Sequence, residues 1–256
     1  MGIKKNRRII IGIILIIILS VGNNWSQKKS EMEAFKKVVE VDKASSNKET
    51  VVKKTATKIA ETKETSSIET PWNLKLVNAT HLIDAGYIPQ LGEIVPDHYV
   101  DTRIISSLQD MLQAAEAEGM GLHICSSYRS AEKQKQVFND TMGALIATGV
   151  SYLDAYNTTR LSVALPGTSE HELGLAVDIV SNDYIELDEK QATTIAAKWL
   201  ETNCYKYGFI LRYPPEKTKE TGIIYEPWHY RYVGKDVAKE LMLTGITLEE
   251  YLGKEE

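Results

Sequence analysis

The chain has 256 residues, of which 43% are hydrophobic and 25% are charged, which is enough for one ordinary globular domain with additional segments. Its formal net charge at pH 7 is -5, and phosphate-binding surfaces are instead rich in Lys and Arg. We therefore expect a single hydrophobic core and no nucleic-acid partner.

Residues 1–22 predict a signal peptide or signal anchor. Four basic residues precede an apolar run from Ile9 to Val21, namely Lys4, Lys5, Arg7 and Arg8, and this order is typical of an export signal. The run is shorter than the roughly 20 apolar residues of a spanning helix, which favours cleavage. Its Ile-rich composition also suits a retained anchor, so both alternatives stay open. We expect the protein to be extracytoplasmic, either secreted or attached to the membrane through residues 9–22.

Residues 23–70 predict a disordered polar linker. This stretch is rich in Lys, Glu, Ser and Thr and contains no Trp or Tyr after Trp25. Such a composition cannot bury enough apolar surface to offset the entropy lost on ordering. The folded domain is expected to begin at Pro71, where aromatic and aliphatic residues return, and to occupy residues 71–256.

Hydrophobic periodicity and capping residues predict the elements of this domain. Apolar residues recur at helical spacing over Arg103–Glu118, and Gly119 follows as a stop. Ser130 and Ser151 are typical helix caps, the first for a helix to about Ala147 and the second for a helix that ends before Pro166. The remaining predictions are a helix over Leu187–Tyr207 and strands over Leu122–Cys125, Gly174–Val180, Phe209–Tyr213 and Ile223–His229. Because helices and strands do not alternate regularly, we expect an α+β fold, an antiparallel sheet flanked by helices.

Two segments carry the candidate chemistry, SEHELGLAVD over 169–178 and EPWHYRY over 226–232. His171, Asp178 and His229 offer two imidazoles and one carboxylate, the set that catalytic zinc uses while a fourth position stays open for water. An unpaired Asp in a strand as apolar as LAVDIV would cost several kcal/mol, so Asp178 needs a cation or donors nearby. Glu226 remains available as a catalytic base. We interpret the pair of segments as a site for one Zn²⁺ per chain.

Several neighbouring residues allow more than one interpretation. Arg129 in SSYRS could bind a carboxylate in a bidentate way or polarise a carbonyl, or it could form a structural salt bridge. In an extended strand, Trp228 would pack on one face while His229 points to a cleft from the other. Cys125 and Cys204 allow one disulfide or two separate buried thiols. The other histidines, His81, His98 and His123, are expected to be ordinary surface or core residues.

The motifs SSYRSAEKQ, PGTSEHELGLAVDIV, KYGFILRYP and TGIIYEPWHYRYVG resemble those of the zinc-dependent D-alanyl-D-alanine carboxypeptidases of the VanY type. The resemblance covers the chain from about Pro71 to Gly253 and includes the strings Ser-x-His-x-x-Gly-x-Ala-x-Asp and Glu-x-Trp-His. It implies a zinc peptidase domain of the hedgehog and D,D-peptidase type. The residue roles that it implies are zinc ligands at His171, Asp178 and His229, the base at Glu226, a substrate or oxyanion partner at Arg129, and substrate contacts at Ser127, Gln134 and Ser169.

The resemblance also implies a substrate and leaves alternatives open. A family member would remove the C-terminal D-Ala from peptidoglycan stem peptides outside a bacterial membrane, in routine wall remodelling or in glycopeptide resistance, and we expect a monomer. Related wall peptidases act as L,D-carboxypeptidases on tetrapeptide stems. Hedgehog signalling domains keep a similar zinc site in a non-catalytic module, an alternative against which both Glu226 and Arg129 argue.

Overall fold

The computed structural model describes residues 70–253. The predicted signal segment and all of the predicted linker except Thr70 lie outside the described residues, and both remain predictions. Over the described range, no helix is sufficiently long and apolar to span a membrane. The first element is a short 3-10 helix, Trp72–Leu74, close to the predicted start of the domain.

The described residues form an α+β domain with seven α-helices and six strands. The strands are β1 (Leu91–Val95), β2 (His98–Asp101), β3 (Leu122–Ser126), β4 (Ala176–Ser181), β5 (Phe209–Leu211) and β6 (His229–Tyr232). The helices are α1 (Ile105–Ala117), α2 (Ala131–Ala147), α3 (Tyr152–Thr159), α4 (Ile195–Asn203), α5 (Thr218–Thr221), α6 (Lys235–Thr244) and α7 (Leu248–Leu252).

Four strands make an antiparallel sheet in the order β3-β4-β6-β5, which confirms the expected sheet type. All six residues of β4 are buried, because the strand is paired on both edges and covered on both faces. The register of β4 and β6 sets Asp178 directly opposite His229. Strand pairing therefore brings together two residues that are 51 positions apart in the chain.

The main core lies between this sheet and α1. Leu108, Met111 and Ala115 of α1 are fully buried and share a cluster with Val177 and Ile179 of β4. Their helical spacing confirms the predicted apolar face of α1. A second, smaller cluster packs α6 and α7 beneath β5, with Leu241 and Leu248 buried in it.

The predicted caps of α2 and α3 are confirmed. The Ser130 hydroxyl accepts a hydrogen bond from the Lys133 backbone N–H, and the Ser151 hydroxyl accepts one from the Asp154 N–H. Each bond satisfies one of the backbone donors that a helix leaves free at its start.

Two predicted elements are wrong in extent. The helix over Leu187–Tyr207 is interrupted, because Thr194 adopts an extended conformation and caps α4, with short 3-10 helices on either side at Glu189–Thr193 and Cys204–Tyr207. The strand over Ile223–His229 is not formed, since β6 begins only at His229. Pro227 lacks a backbone N–H and lies in a turn. Trp228 and His229 are therefore both buried without the face alternation expected of a strand.

The two cysteines are free thiols. Cys125 lies in β3 and Cys204 lies in the 3-10 helix that follows α4. Burial raises the pKa of each thiol to about 12. The structure therefore contains two separate protonated thiols and no disulfide between them. Cys204 is buried as the second alternative expects, whereas Cys125 is only half-buried.

Candidate active site

His171, Asp178 and His229, the ligand triad, converge at the centre of the sheet. Each of the three can offer one nitrogen or oxygen atom, and these atoms all lie within 4.8 Å of one another. His171 comes from the 3-10 helix Glu170–Leu173, Asp178 from β4 and His229 from the start of β6. All three are buried. The structure thus brings together the three residues that the sequence predicted as metal ligands.

His171 presents a lone pair to the centre of the triad. Its Nδ1 lies 2.8 Å from the backbone carbonyl oxygen of Ser127, which can only accept, so Nδ1 carries the proton. Burial and the nearby Arg129 guanidinium lower the pKa of His171 to about 4, which keeps the ring neutral. The unprotonated Nε2 then lies 3.3 Å from Oδ2 of Asp178 and is buried without a hydrogen-bond partner. Two facing acceptors repel each other, and a cation between them would relieve this repulsion.

His229 lies between two carboxylates. Its Nδ1 is 3.1 Å from Oδ1 of Asp178, and its Nε2 is 3.4 Å from Oε2 of Glu170. Burial favours the neutral ring, but the hydrogen bonds to Asp178 and Glu170 outweigh burial and raise the pKa of His229 to about 9. In the metal-free protein the ring therefore carries a proton on both nitrogens. A metal ion would displace the Nδ1 proton.

Asp178 also contacts Arg129. Burial favours the protonated acid, but the hydrogen bond and positive charge of the adjacent protonated His229 hold the pKa of the Asp178 carboxyl well below its usual range. An Arg129 NH2 donates to Oδ2 of Asp178 at 3.1 Å, and the other terminal nitrogen donates to Oε1 of Gln134 at 3.0 Å. The Arg129 Nε is buried without a partner among the described residues. The guanidinium is thus held beside the triad with its Nε–H unpaired.

Glu226 lies at the edge of the triad without belonging to it. Its Oε2 is 3.9 Å from Nδ1 of His229, on the side of the ring that faces Asp178. Burial raises the pKa of Glu226 to about 8 in the metal-free protein. The turn that carries Glu226 is fixed by its backbone N–H, which donates to the Tyr213 carbonyl at 3.1 Å. A carboxyl group with a pKa near neutrality can both take up and release a proton.

The remaining predicted site residues lie around the triad in different ways. The Ser127 hydroxyl accepts from the Tyr99 N–H at 3.1 Å, so it is the Ser127 carbonyl that faces His171. Gln134 is buried and donates to the Ala164 carbonyl at 2.7 Å while it supports Arg129. Ser169 is buried, and its carbonyl accepts from the Glu172 N–H. The substrate contacts of all three stay predictions.

A buried ion cluster behind His229 was not predicted from the sequence. It consists of Glu170, Arg212, Arg231 and Glu249, and the first three have fully buried side chains. Glu170 directly precedes His171 in the motif, so the sequence could have predicted that this carboxylate lies near the metal position. Its pairing with Arg212 and Arg231 could not be predicted, because these residues are 42 and 61 positions away in the chain.

The residues at the triad fit a divalent metal ion of borderline hardness. Two imidazole nitrogens and one carboxylate oxygen are the donor set of catalytic zinc. The unpaired, unprotonated Nε2 of His171 is an atom that such an ion would satisfy. The formal charges also fit, because Asp178 and Glu226 together could balance a divalent cation.

Comparison with known proteins agrees with this geometry. The family model described as VanY, D-alanyl-D-alanine carboxypeptidase, matches residues 97–235. A D-alanyl-D-alanine carboxypeptidase of Enterococcus faecalis (strain ATCC 700802 / V583) is 41% identical over 187 residues, which are 73% of this chain and 68% of the relative.

Solved structures show the same likeness. A mutant of the VanY D,D-pentapeptidase from a VanB-type resistance cassette, in complex with Zn(II), is 41% identical with a TM-score of 0.66, over 71% of this chain and 99% of that one. VanYB in complex with D-Alanine-D-Alanine is 41% identical with a TM-score of 0.67, over 73% of this chain and 100% of that one. The LdcB LD-carboxypeptidase is 38% identical with a TM-score of 0.60, over 73% and 89%.

The similarities agree with the geometry of the ligand triad and with the buried Glu226 carboxylate beside it. The chain belongs to the VanY family of D-alanyl-D-alanine carboxypeptidases.

Proposed function

We propose that this protein is a zinc-dependent D-alanyl-D-alanine carboxypeptidase that removes the C-terminal D-Ala from peptidoglycan stem peptides. The observation that carries the proposal is the ligand triad with the buried Glu226 carboxylate 3.9 Å from the inward-facing Nδ1 of His229. A metal site that served only to hold the fold would not need a carboxyl group of near-neutral pKa beside its ligands.

Three atoms of this chain would hold the metal: Nε2 of His171, a carboxylate oxygen of Asp178 and Nδ1 of His229. When bound, zinc supplies Lewis acidity, which polarises a carbonyl oxygen and makes water acidic enough to ionise near pH 7. The zinc complex of the similar VanY D,D-pentapeptidase supports the choice of this ion.

Glu226 would carry the proton through the reaction. Its carboxylate takes a proton from the attacking water and later delivers it to the nitrogen of the leaving D-Ala. Burial, which raises the pKa of Glu226 to about 8 in the metal-free protein, keeps both protonation states accessible. Its backbone is anchored on Tyr213, so the carboxyl group is held in place for both transfers.

Arg129 would stabilise negative charge on the substrate. The charges of Asp178 and Glu226 are matched by a divalent ion, which leaves the Arg129 charge for an anion that enters the site. Its unpaired Nε and its fixed position between Gln134 and Asp178 suit either the developing oxyanion or the terminal carboxylate of the peptide. The similar VanYB structure with D-Alanine-D-Alanine supports a substrate of this kind.

The place of action follows from the substrate. Stem peptides lie outside the cytoplasmic membrane, and the basic and apolar pattern of residues 1–22 is typical of an export signal. We therefore infer an extracytoplasmic enzyme, secreted or held at the outer face of the membrane through residues 9–22, that acts as a monomer.

The test of function uses two muropeptides. The purified protein with zinc is incubated with stems that end in a pentapeptide and with stems that end in a tetrapeptide, each with and without a chelator. We expect D-Ala release from the pentapeptide only, and its loss with the chelator. Cleavage of the tetrapeptide alone would favour the L,D alternative. The similarity to the LdcB LD-carboxypeptidase is the reason to test it. A protein that binds zinc and cuts neither stem would be a binding module.

A further inference from the structure

The two histidines of the ligand triad face the metal position through different nitrogens. His171 uses Nε2, because its Nδ1–H donates to the Ser127 carbonyl. His229 is turned the other way, with Nδ1 toward Asp178 and Nε2 toward Glu170. To bind a metal through Nδ1, His229 must keep its proton on Nε2. Some residue outside the triad has to fix that choice.

Glu170 divides its two carboxylate oxygens between different partners. Its Oε1 accepts from Nε of Arg212 at 2.7 Å and from a terminal nitrogen of Arg231 at 2.8 Å. Its Oε2 lies 3.4 Å from Nε2 of His229. The first oxygen is occupied by two groups that can only donate, so the second oxygen is left to accept from the histidine.

Both arginines are themselves immobilised. The two terminal nitrogens of Arg212 donate to the Glu249 carboxylate at 2.8 and 2.6 Å. Arg231 donates to three backbone carbonyls, those of Tyr232, Asn73 and Lys75. Neither guanidinium can therefore turn away from Glu170 without the loss of several other bonds. The four charged groups of the cluster also cancel formally, so Glu170 can remain ionised without a proton taken from His229.

We propose that Glu170 is a positioning residue that holds the proton of His229 on Nε2 and so directs the lone pair of Nδ1 to the metal. The inference rests on the zinc site of the proposed function and assigns a role to a residue outside that site. Outer carboxylate partners of this kind fix the tautomer and orientation of metal-binding histidines in general.

The substitution Glu170→Gln tests the proposal because an amide would reverse the tautomer. Its carbonyl oxygen must face the two arginines, which are donors only. Its NH₂ group then points at Nε2 of His229 and needs a lone pair there, so the ring proton moves to Nδ1 and blocks the metal position. We expect the zinc dissociation constant to rise by about 10- to 100-fold.

Glu249→Gln is the matched control. It removes the same charge from the same cluster and weakens the ion pair of the same arginine, Arg212. The hydrogen bonds of Glu249 within the described residues go to Arg212 and Asn78, and none goes to His229. A purely structural role of the cluster would give both variants the same zinc affinity. We expect the zinc affinity of Glu249→Gln to stay at the value of the unmodified protein. Affinity is measured by competition with a chromophoric chelator, on proteins whose near-ultraviolet circular dichroism is unchanged.

A second measurement needs no variant. In the zinc-loaded protein labelled with ¹⁵N-histidine, NMR should show two metal-bound rings, one protonated on Nδ1 and one protonated on Nε2. Two metal-bound rings that both carry the proton on Nδ1 would overturn the proposal, as would equal zinc affinities for the unmodified protein and Glu170→Gln. If the unmodified protein takes up no zinc, the proposed function fails as well, so the two failures are distinguishable.

Discussion

Glu226 differs from the other buried carboxylates of the site in what controls its charge. Asp178 and Glu170 have cationic partners close by, and the pKa of each is lowered despite burial. For Glu226 burial dominates and raises the pKa to about 8. A group that exchanges protons near pH 7 is suited to be a base, whereas a permanently ionised group is suited to be a ligand.

This difference predicts the behaviour of Glu226→Gln. The amide cannot accept a proton, so we expect kcat for D-Ala release to fall by about 10²- to 10⁴-fold. Zinc content should be unchanged, because Glu226 is outside the triad. Hydrolysis assays and metal analysis on the same sample check both parts. An active variant would contradict the role as base, and a zinc-free variant would show that Glu226 is a ligand.

At the scale of single residues, the sequence predicted which side chains form the site but not which side chains they pair with. The sequence grouped the ligand triad with Glu226 because each residue lies in a short motif whose residue types suit zinc chemistry, and the structure places them close together. Their chemical roles stay predictions. The position of Gln134 beneath Arg129 and the orientation of the Ser127 hydroxyl depend on side-chain packing. The pairing of Glu170 with Arg212 and Arg231 depends on strand register. None of these follows from local spacing.

At the scale of elements, Gly174 joins the two halves of the first motif. It ends the 3-10 helix that carries His171 and has a φ of 70°, after which the chain enters β4 with Asp178. Its carbonyl accepts from the Asp101 N–H at 2.9 Å. A Cβ at this position would lie 2.9 Å from the same backbone nitrogen. Only a glycine therefore fits between this turn and β2.

Gly174→Ala and Gly222→Ala form a matched pair that tests this account. Gly222 ends α5 with a φ of 75°, but a Cβ there would meet nothing within 4 Å. We expect Gly222→Ala to lower the free energy of unfolding by about 1–2 kcal/mol through backbone conformation alone. Gly174→Ala should cost a further ~1–3 kcal/mol from the clash with β2. Urea unfolding measures both, and equal losses would contradict the steric argument.

The elements missed by the sequence interpretation have identifiable causes. The hairpin of β1 and β2 is short, with a bulge in its register, and its Pro96-Asp97 turn was an available signal that the hydrophobic pattern did not emphasise. The helix predicted over Leu187–Tyr207 was divided because Thr194 prefers to cap a helix rather than continue one. In both cases local turn chemistry outweighed hydrophobic periodicity.

For the whole molecule, metal binding and stability are coupled. The triad joins a 3-10 helix, a central strand and the neighbouring strand, so an ion bound there stabilises only the folded chain. At a free zinc concentration of about 1,000 times the dissociation constant the gain is about 4 kcal/mol. For a domain of this size, we expect a rise in Tm of ~10 °C.

Thermal unfolding with and without zinc checks this expectation. His229→Ala lacks one ligand and should show a much smaller shift at the same zinc concentration. An equal shift in this variant would mean that zinc stabilises the protein from another place.

The strand order determines when the metal site can form during folding. β4 is followed by about fifty residues, including β5, before β6 returns to pair with it. Closure of a loop of this length opposes folding by ~3 kcal/mol in its length-dependent part, and pairings between distant segments slow the folding of a chain. His229 reaches Asp178 only when this pairing forms. A newly synthesised chain would therefore acquire a competent metal site only after β6 has been made and paired, which ties zinc acquisition to completion of the fold.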